Sequence, residues 1–253
     1  MFTINKLFYS PVKSLSFSSV NKLEILGSIG IKFDRNFAFT RNLDDNKINY
    51  ILNNPLKRQI INFLSLKHFP ELNEYNFDLE KEILILKKNN KIILQTNINI
   101  KSDVETLCDK ILLLIPKLER IKLIKDSKNP FFDTMPSNTI SLINLNSIKD
   151  FEKKISKNVE LERFRGNIYI NGLDAWEERN WINKTLEINN IKFKVIKEIP
   201  RCSATNIKPN SSKYNLSVPL LLKQFYNHIN LGIYILPQNN GNIKLNDEIL
   251  IND

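Results

Sequence analysis

The chain has 253 residues, of which 42% are hydrophobic and 25% charged, as in globular proteins with one large or two small domains. Its net charge of +10 comes from lysines scattered along the chain rather than from basic runs, so we do not expect nucleic-acid binding. No apolar stretch reaches the length of a membrane span. The two cysteines, Cys108 and Cys202, are too few for a disulfide scaffold, and the first seven residues lack a secretory pattern. We therefore expect a cytoplasmic protein.

The first half of the chain is predicted to be antiparallel β-structure with few helices. The predicted strands cover 2–10, 20–26, 33–40, 76–79, 83–86 and 91–96, and a polar turn is predicted at 42–46. Helices are predicted over 55–63 and 103–116, the second of which ends at a proline.

The second half is predicted to mix strands with two helices. The predicted strands are 139–145, 167–170 and 191–199, the helices are 147–157 and 218–226, and 231–236 and 243–251 are predicted to form a closing hairpin. The fold class that follows is α+β, mainly β. We expect a boundary near residue 120, with domains 1–120 and 121–253.

Cys202 is the residue whose setting most suggests chemistry. It follows Arg201 directly, at the start of a polar, proline-punctuated loop. A neighbouring positive charge favours the thiolate form, which acts as a nucleophile or as a soft-metal ligand. A buried structural thiol is the alternative for any single cysteine, and we assign that role to Cys108, in the middle of a predicted helix.

Three other segments offer groups that bind anions. They contain Lys13 and Ser14, then Asp34 and Arg35, then Arg163, Arg165 and Asn167. The first pair places a point charge and a hydroxyl just after a strand, which suits a phosphate. The second pair is predicted inside a strand, and the third set along one strand face, where guanidinium forks form a ladder for an anion. Each alone could be an ordinary surface group. With the thiol they predict a joint site for an anion and a thiolate.

These segments, in this order, resemble those of MOSC proteins, named after the molybdenum cofactor sulfurase C-terminal domain. The motifs are 9–15, 30–35, 163–168, 201–206 and 231–234, supported by 141–147 and 175–177. Each motif alone is weak evidence of this resemblance, but their order along essentially the whole chain is specific to these proteins. The resemblance implies a β-barrel MOSC core, an N-terminal β-barrel-like domain and a few peripheral helices. Amidoxime-reducing proteins and bacterial hydroxylaminopurine reductases are similar.

The resemblance further implies a bound molybdenum-pterin cofactor whose metal takes the Cys202 thiolate. The implied cofactor-binding residues are Lys13, Ser14 and Arg35 at the phosphate, Arg165 and Asn144 beside the pterin, and Asn167, Arg201 and Thr205. The implied activity is an oxidoreductase that reduces hydroxylamines, amidoximes or N-hydroxylated bases to amines. Pyridoxal phosphate binding is associated with the family only. The alternative is a non-enzymatic carrier of the cofactor, or of a persulfide on Cys202.

Electrons for such a reduction are expected from a separate protein. The sequence has no cysteine cluster for an iron–sulfur centre and no Gly-x-Gly-x-x-Gly motif for a dinucleotide. A ferredoxin-like or cytochrome-like donor with an acidic surface would suit the basic chain. His228, just after the predicted helix 218–226, could shuttle protons or simply lie at a helix C-terminus.

Overall fold

The computed structural model describes residues 2–15, 17–132 and 139–252. The strands of this part of the chain are β1 (Phe2–Tyr9), β2 (Ser18–Val20), β3 (Lys22–Leu26), β4 (Gly30–Ile31), β5 (Phe37–Phe39), β6 (Tyr75–Glu80), β7 (Ile83–Lys88), β8 (Lys91–Asn97), β9 (Leu123–Lys125), β10 (Ile140–Asn144), β11 (Ile168–Asn171), β12 (Thr185–Ile188), β13 (Ile191–Pro200), β14 (Asn230–Pro237), β15 (Gly241–Lys244) and β16 (Glu248–Asn252). The α-helices are α1 (Asp45–Asn53), α2 (Lys101–Leu113), α3 (Leu145–Ile155) and α4 (Val218–Tyr226).

Seven strands close into a β-barrel. Their order is β11–β10–β14–β13–β12–β16–β1, and β1 pairs with β11 to complete the ring. The β10–β11 pair is parallel and the other neighbours are antiparallel. Alternate residues of β13, such as Ile191, Phe193 and Val195, are buried, which is the period-2 pattern of a strand with one face in a core. The predicted mainly β class with a β-barrel core and a few helices is confirmed.

The first strands of the chain share sheets with strands from its far end. Besides the place of β1 in the barrel, β3 pairs with β15 in a small antiparallel sheet that also includes β4. A second hydrophobic core lies under the antiparallel sheet β6–β7–β8 and helix α2, and includes Phe77, Leu107 and Ile111. The division into domains 1–120 and 121–253 stays a prediction.

Several local predictions were wrong because tertiary pairing or capping overrode the local pattern. The predicted closing hairpin is absent, since β14 pairs with β10 and β13 while β15 pairs with β3 and β16 with β12 and β1. The predicted helix 55–63 contains only the short 3₁₀ turns Pro55–Lys57 and Ile60–Asn62. Helix α1 begins within the predicted polar turn 42–46, where the Asp44 carboxylate accepts a hydrogen bond from the backbone N–H of Lys47.

Among the described residues, no helix combines the length and the apolar character needed to cross a bilayer.

Candidate functional site

A cavity of about 390 Å³ lies where the barrel meets the loops of the first half of the chain. Eight of the nine residues predicted for the site line it: Lys13, Ser14, Arg35, Arg165, Asn167, Arg201, Cys202 and Thr205. Two further basic residues, Lys67 and Arg163, also line it, and none of its described lining residues is a carboxylate. The cavity is therefore strongly cationic and suits an anionic ligand.

Lys13 and Ser14 lie in the turn between β1 and β2. The backbone N–H of Lys13 donates to the Phe37 carbonyl at 2.8 Å, which fixes the turn against β5. Its ammonium group donates to the Phe131 carbonyl at 3.2 Å and lies 5.7 Å from the centre of the Phe63 ring. Ser14 follows in the left-handed region, with φ 64°. A buried lysine charge and a neighbouring hydroxyl thus border the cavity together.

Arg35 enters the cavity from a turn, not from the predicted strand. The N–H of Asp34 donates to the Ile31 carbonyl and Arg35 has φ 54°, because the chain must reverse before the short strand β5. The Arg35 guanidinium pairs with the buried Asp34 carboxylate and stacks 5.1 Å from the centre of the Phe132 ring. Asp34 is held in turn by the N–H of Ser10 at 2.6 Å.

The predicted strand ladder of Arg163, Arg165 and Asn167 is wrong. Residues Leu161–Phe164 form a 3₁₀ turn and Arg165 has φ 51°, so the two guanidinium groups have different partners. Arg165 lies 5.4 Å from the centre of the Phe17 ring.

Arg163 is buried behind this wall of the cavity. Its guanidinium donates to the Thr205 carbonyl at 2.8 Å and to Asn215 Oδ1 at 3.0 Å, and pairs with Glu160 at 2.5 Å. Arg163 thus holds the segment that follows Cys202, a role that its sequence motif does not indicate.

Arg201 is a buried cation beside the thiol. Its Nε donates to the Leu231 carbonyl at 2.8 Å and its Nη1 to the Phe164 carbonyl at 2.9 Å. Burial lowers the pKa of Arg201. Among the described residues its hydrogen-bond acceptors are neutral carbonyl oxygens, which leaves the positive charge without a carboxylate partner. An anion in the cavity or a thiolate at Cys202 would balance it.

Cys202 is exposed at the cavity, and its backbone is held firmly. Its carbonyl accepts the N–H of Thr205 at 3.0 Å and the Thr205 hydroxyl at 2.7 Å. Asn167 has a comparable anchoring role, since its Oδ1 accepts the Ser141 hydroxyl at 2.8 Å and its Nδ2 donates to the Phe8 carbonyl at 3.3 Å. These contacts tie the site to the barrel.

Asn144 is the predicted site residue that the structure does not bring to the cavity. It is fully buried at the start of α3, where its Oδ1 accepts the N–H of Asn146. Its Nδ2 donates to the Asp174 carbonyl at 2.7 Å and to the Glu178 carboxyl at 3.1 Å. Burial raises the pKa of Glu178, against the effect of the hydrogen bonds from Asn144 and Ser147.

His228 and Cys108 do not line the cavity. His228 Nε2 lies 2.8 Å from an Arg179 guanidinium nitrogen, and burial, with that cation, lowers the pKa of His228. Burial raises the pKa of the half-buried Cys108 thiol. Lys67 was missed because it lies in a loop without a recognisable motif.

Comparison with known families fits this geometry. Residues 132–250 match the model of the MOSC domain family. This part of the chain is similar to a MOSC domain. Cys202, Arg201 and Arg165 lie within the matched residues, whereas Lys13, Ser14 and Arg35 precede them.

Relatives with curated names are similar to the chain at low identity. The molybdenum cofactor sulfurase of Caenorhabditis briggsae is 24% identical over 94% of this chain and 34% of its own length. The mitochondrial amidoxime reducing component 2 of Rattus norvegicus is 26% identical over 44% of this chain and 36% of its own. The alignments thus span about a third of each of these relatives. Pyridoxal phosphate binding stays a family-level association.

A distant structural likeness was also found. The YUAD protein from Bacillus subtilis superposes with a TM-score of 0.46 and 11% identity over 99% of this chain and 96% of that one.

Proposed function

We propose that this MOSC-domain protein is a molybdenum-cofactor-dependent oxidoreductase that reduces N-hydroxylated compounds to amines, with Cys202 as the metal ligand. The observation that carries the proposal is that an exposed thiol lines the same cavity as six basic residues, and that none of its described lining residues is a carboxylate. Thiolates are the ligands that soft metals prefer, and guanidinium and ammonium groups bind phosphate. Relatives named for molybdenum cofactor sulfuration and for amidoxime reduction support the same chemistry.

The residues present fit a molybdenum-pterin cofactor on two counts. The charge of buried Arg201 has only neutral carbonyl acceptors among the described residues, so an anion in the cavity would compensate it. Among those residues, no group of three or more His, Cys, Asp or Glu side chains could hold a metal. A metal at Cys202 would therefore need most of its ligands from a cofactor. We assign the phosphate to Lys13, Ser14 and Arg35, with Arg165 nearby.

The chemistry that such a cofactor supplies when bound is the two-electron removal of oxygen from an N–O bond. Overall, an N-hydroxylated substrate takes up two electrons and two protons and leaves as an amine and water. In our proposal, Thr205 holds the Cys202 backbone in place, while Arg163 and Asn167 keep the surrounding turn and strands fixed. A separate ferredoxin-like or cytochrome-like protein would deliver the electrons.

The test is to purify the protein from a host that makes the cofactor and to measure molybdenum, pterin and turnover. With an artificial reductant and an amidoxime or hydroxylamine substrate, we expect wild-type protein and Cys108→Ser to form the amine. Cys202→Ser should be inactive while its melting temperature is unchanged, because an alcohol does not replace a soft thiolate ligand. Turnover by Cys202→Ser at the wild-type rate would contradict the ligand assignment.

A non-enzymatic carrier of the cofactor, or of a persulfide on Cys202, is the second candidate. It is favoured by the match to the molybdenum cofactor sulfurase, which covers 94% of this chain against 44% for the amidoxime reducing component. Such a carrier would hold molybdenum and pterin without turnover and would release them to a cofactor-free acceptor enzyme. Mass spectrometry of the purified protein would detect a persulfide on Cys202.

A further inference from the structure

Four polar residues outside the cavity form a closed circuit of hydrogen bonds, which we call the His228 circuit. The Arg179 Nε donates to one Glu198 carboxylate oxygen at 2.9 Å, and the side-chain amide of Asn230 donates to the other. The Arg179 Nη1 lies 2.8 Å from His228 Nε2, and the backbone nitrogen of Asn230 lies 3.2 Å from His228 Nδ1. The circuit ties a 3₁₀ turn and strand β13 to the start of β14 and the loop before it.

The imidazole of His228 faces a hydrogen-bond donor at each of its two nitrogens. Neither the Arg179 guanidinium nor the backbone N–H of Asn230 can accept a hydrogen bond. A neutral imidazole has one nitrogen that accepts, so it satisfies one of these donors, whereas an imidazolium donates from both nitrogens and satisfies neither. Protonation of His228 therefore removes the imidazole from the circuit and places a second positive charge beside Arg179.

The charged groups around His228 act on it in both directions, and those that disfavour its protonation prevail. Burial, followed by the charge of Arg179, lowers the pKa of His228. Lys223 on α4 acts in the same direction, while the Glu198 carboxylate acts in the opposite one. Glu198 already accepts hydrogen bonds from two other members of the circuit.

Two aromatic rings complete the surroundings of the imidazole. The centres of the Trp176 and Tyr226 rings lie 5.6 and 5.9 Å from the centre of the His228 ring. Behind them, the Asp150 carboxylate accepts the Trp176 indole N–H at 2.8 Å and the Tyr226 hydroxyl at 2.7 Å. These bonds fix the two rings, and with them the position of the imidazole.

The segment that follows His228 holds Arg201. The backbone N–H of Arg201 donates to the Ile229 carbonyl at 2.8 Å, and its Nε donates to the Leu231 carbonyl at 2.8 Å. Arg201 directly precedes Cys202. The position of this buried cation beside the thiol therefore depends on the segment that the His228 circuit ties down.

We propose that His228 is a positioning residue for Arg201, and that its protonation in mild acid opens the circuit and loosens the segment that holds this cation beside Cys202. The closed circuit contains the neutral imidazole. Its stability therefore falls as the pH falls from the ordinary pKa of histidine through the lowered pKa of His228, and it is fully present above that window. This behaviour belongs to the chain alone and needs no cofactor.

Hydrogen exchange of the backbone amides of Arg201 and Asn230, followed by NMR on cofactor-free protein at about pH 7.5 and about pH 5, tests the proposal. After correction for the intrinsic pH dependence of exchange, wild type should lose roughly three- to tenfold of its protection at the lower pH, since one pKa unit is a factor of ten. His228→Gln keeps a side chain that accepts a hydrogen bond and does not titrate, so its protection should be the same at both pH values. His68→Gln, which removes the other histidine of the chain, is the matched control and should behave like wild type.

Equal wild-type protection at the two pH values would overturn the proposal, as would an equal loss in acid from His228→Gln. The ring protons of His228 give a second measure in wild type that needs no variant. The imidazole should titrate over the pH range in which protection falls, and an imidazole that stays neutral throughout that range would also overturn the proposal.

Protein loaded with cofactor gives the functional readout of the same device. After gel filtration at about pH 5, wild type should retain less pterin than His228→Gln, and the two should retain the same amount at about pH 7.5. Equal retention at both pH values would overturn the link from the circuit to the site. A protein that never acquires pterin would overturn the proposed function, while the exchange data would still decide the circuit.

Discussion

Replacing Arg165 by alanine should release the cofactor. In the structure Arg165 contacts Phe17 by a cation–π interaction and the Ser10 hydroxyl at 3.4 Å, which is at the limit of a hydrogen bond. The loss of such contacts costs about 1 kcal/mol of folding free energy. A hydrogen bond to a charged ligand group contributes about 1.5–3 kcal/mol, so cofactor affinity should fall roughly ten- to a hundredfold.

Arg41→Ala is a matched control. The Arg41 guanidinium stacks on the Phe69 ring at 5.1 Å, as Arg165 does on Phe17 at 5.4 Å, but Arg41 does not line the cavity. Chemical denaturation shows that each variant is folded. The amount of pterin per protein after gel filtration should fall in Arg165→Ala and not in Arg41→Ala. Arg165→Lys should retain part of the pterin, because lysine keeps the charge but cannot form the two parallel hydrogen bonds of a guanidinium group. Equal pterin content in Arg165→Ala and Arg41→Ala would refute the reasoning.

Three further predictions concern stability. Arg35→Ala leaves the Asp34 carboxylate, which is 1% exposed, without its cation, and should lower the free energy of unfolding in urea by about 3–5 kcal/mol. Adding Asp34→Asn should recover much of that loss, and an Arg35→Ala variant as stable as wild type would contradict the role of the pair. The raised pKa of Glu178 means that the folded state binds its proton more tightly than the unfolded state, so its contribution to stability falls as pH rises from the ordinary glutamate value through the raised one. Melting temperatures of Glu178→Gln between pH 4 and 8 should lack this part of the pH dependence, and identical profiles would contradict it. Gly232 has φ +82°, and Gly232→Ala places a Cβ 2.6 Å from the Leu142 carbonyl oxygen, so this variant should lose more than about 1 kcal/mol of stability. Gly27→Ala, whose new Cβ has its nearest contact at 3.4 Å, should be close to neutral. Equal melting temperatures of the two variants would contradict this prediction.

Elements with a strong local pattern could be predicted from the sequence. Helix α4 spans Val218–Tyr226 as predicted, because a proline in its first turn and apolar residues at helical spacing define it. Strand β13 extends one residue beyond the prediction, and the alternation of apolar and charged residues in its sequence matches the alternation of buried and exposed positions. Eight of the nine residues predicted for the site line the cavity, because charged and thiol side chains in short motifs can be recognised without knowledge of the fold.

Features set by distant partners could not be predicted in this way. The barrel closes through β1 and β11, with Thr3 opposite Asn171, and nothing local specifies that register. The left-handed conformation of Arg165 separates it from Arg163, whereas a period-2 reading placed both on one face. Asn144 carries a polar side chain suited to a ligand. In the structure, however, its Nδ2 donates to the buried carboxyl of Glu178, and its Oδ1 accepts the N–H of Asn146 in the first turn of α3.

X-ray absorption at the molybdenum edge tests the central claim most directly, that the Cys202 thiolate is a ligand of a metal held in the cationic cavity. The spectra of wild-type protein, Cys202→Ser and Cys108→Ser, each loaded in the same host, would be compared for the number of sulfur atoms around the metal. We predict one sulfur ligand fewer in Cys202→Ser and no change in Cys108→Ser. Identical sulfur coordination in all three proteins, or the loss of a sulfur ligand in Cys108→Ser alone, would contradict the claim.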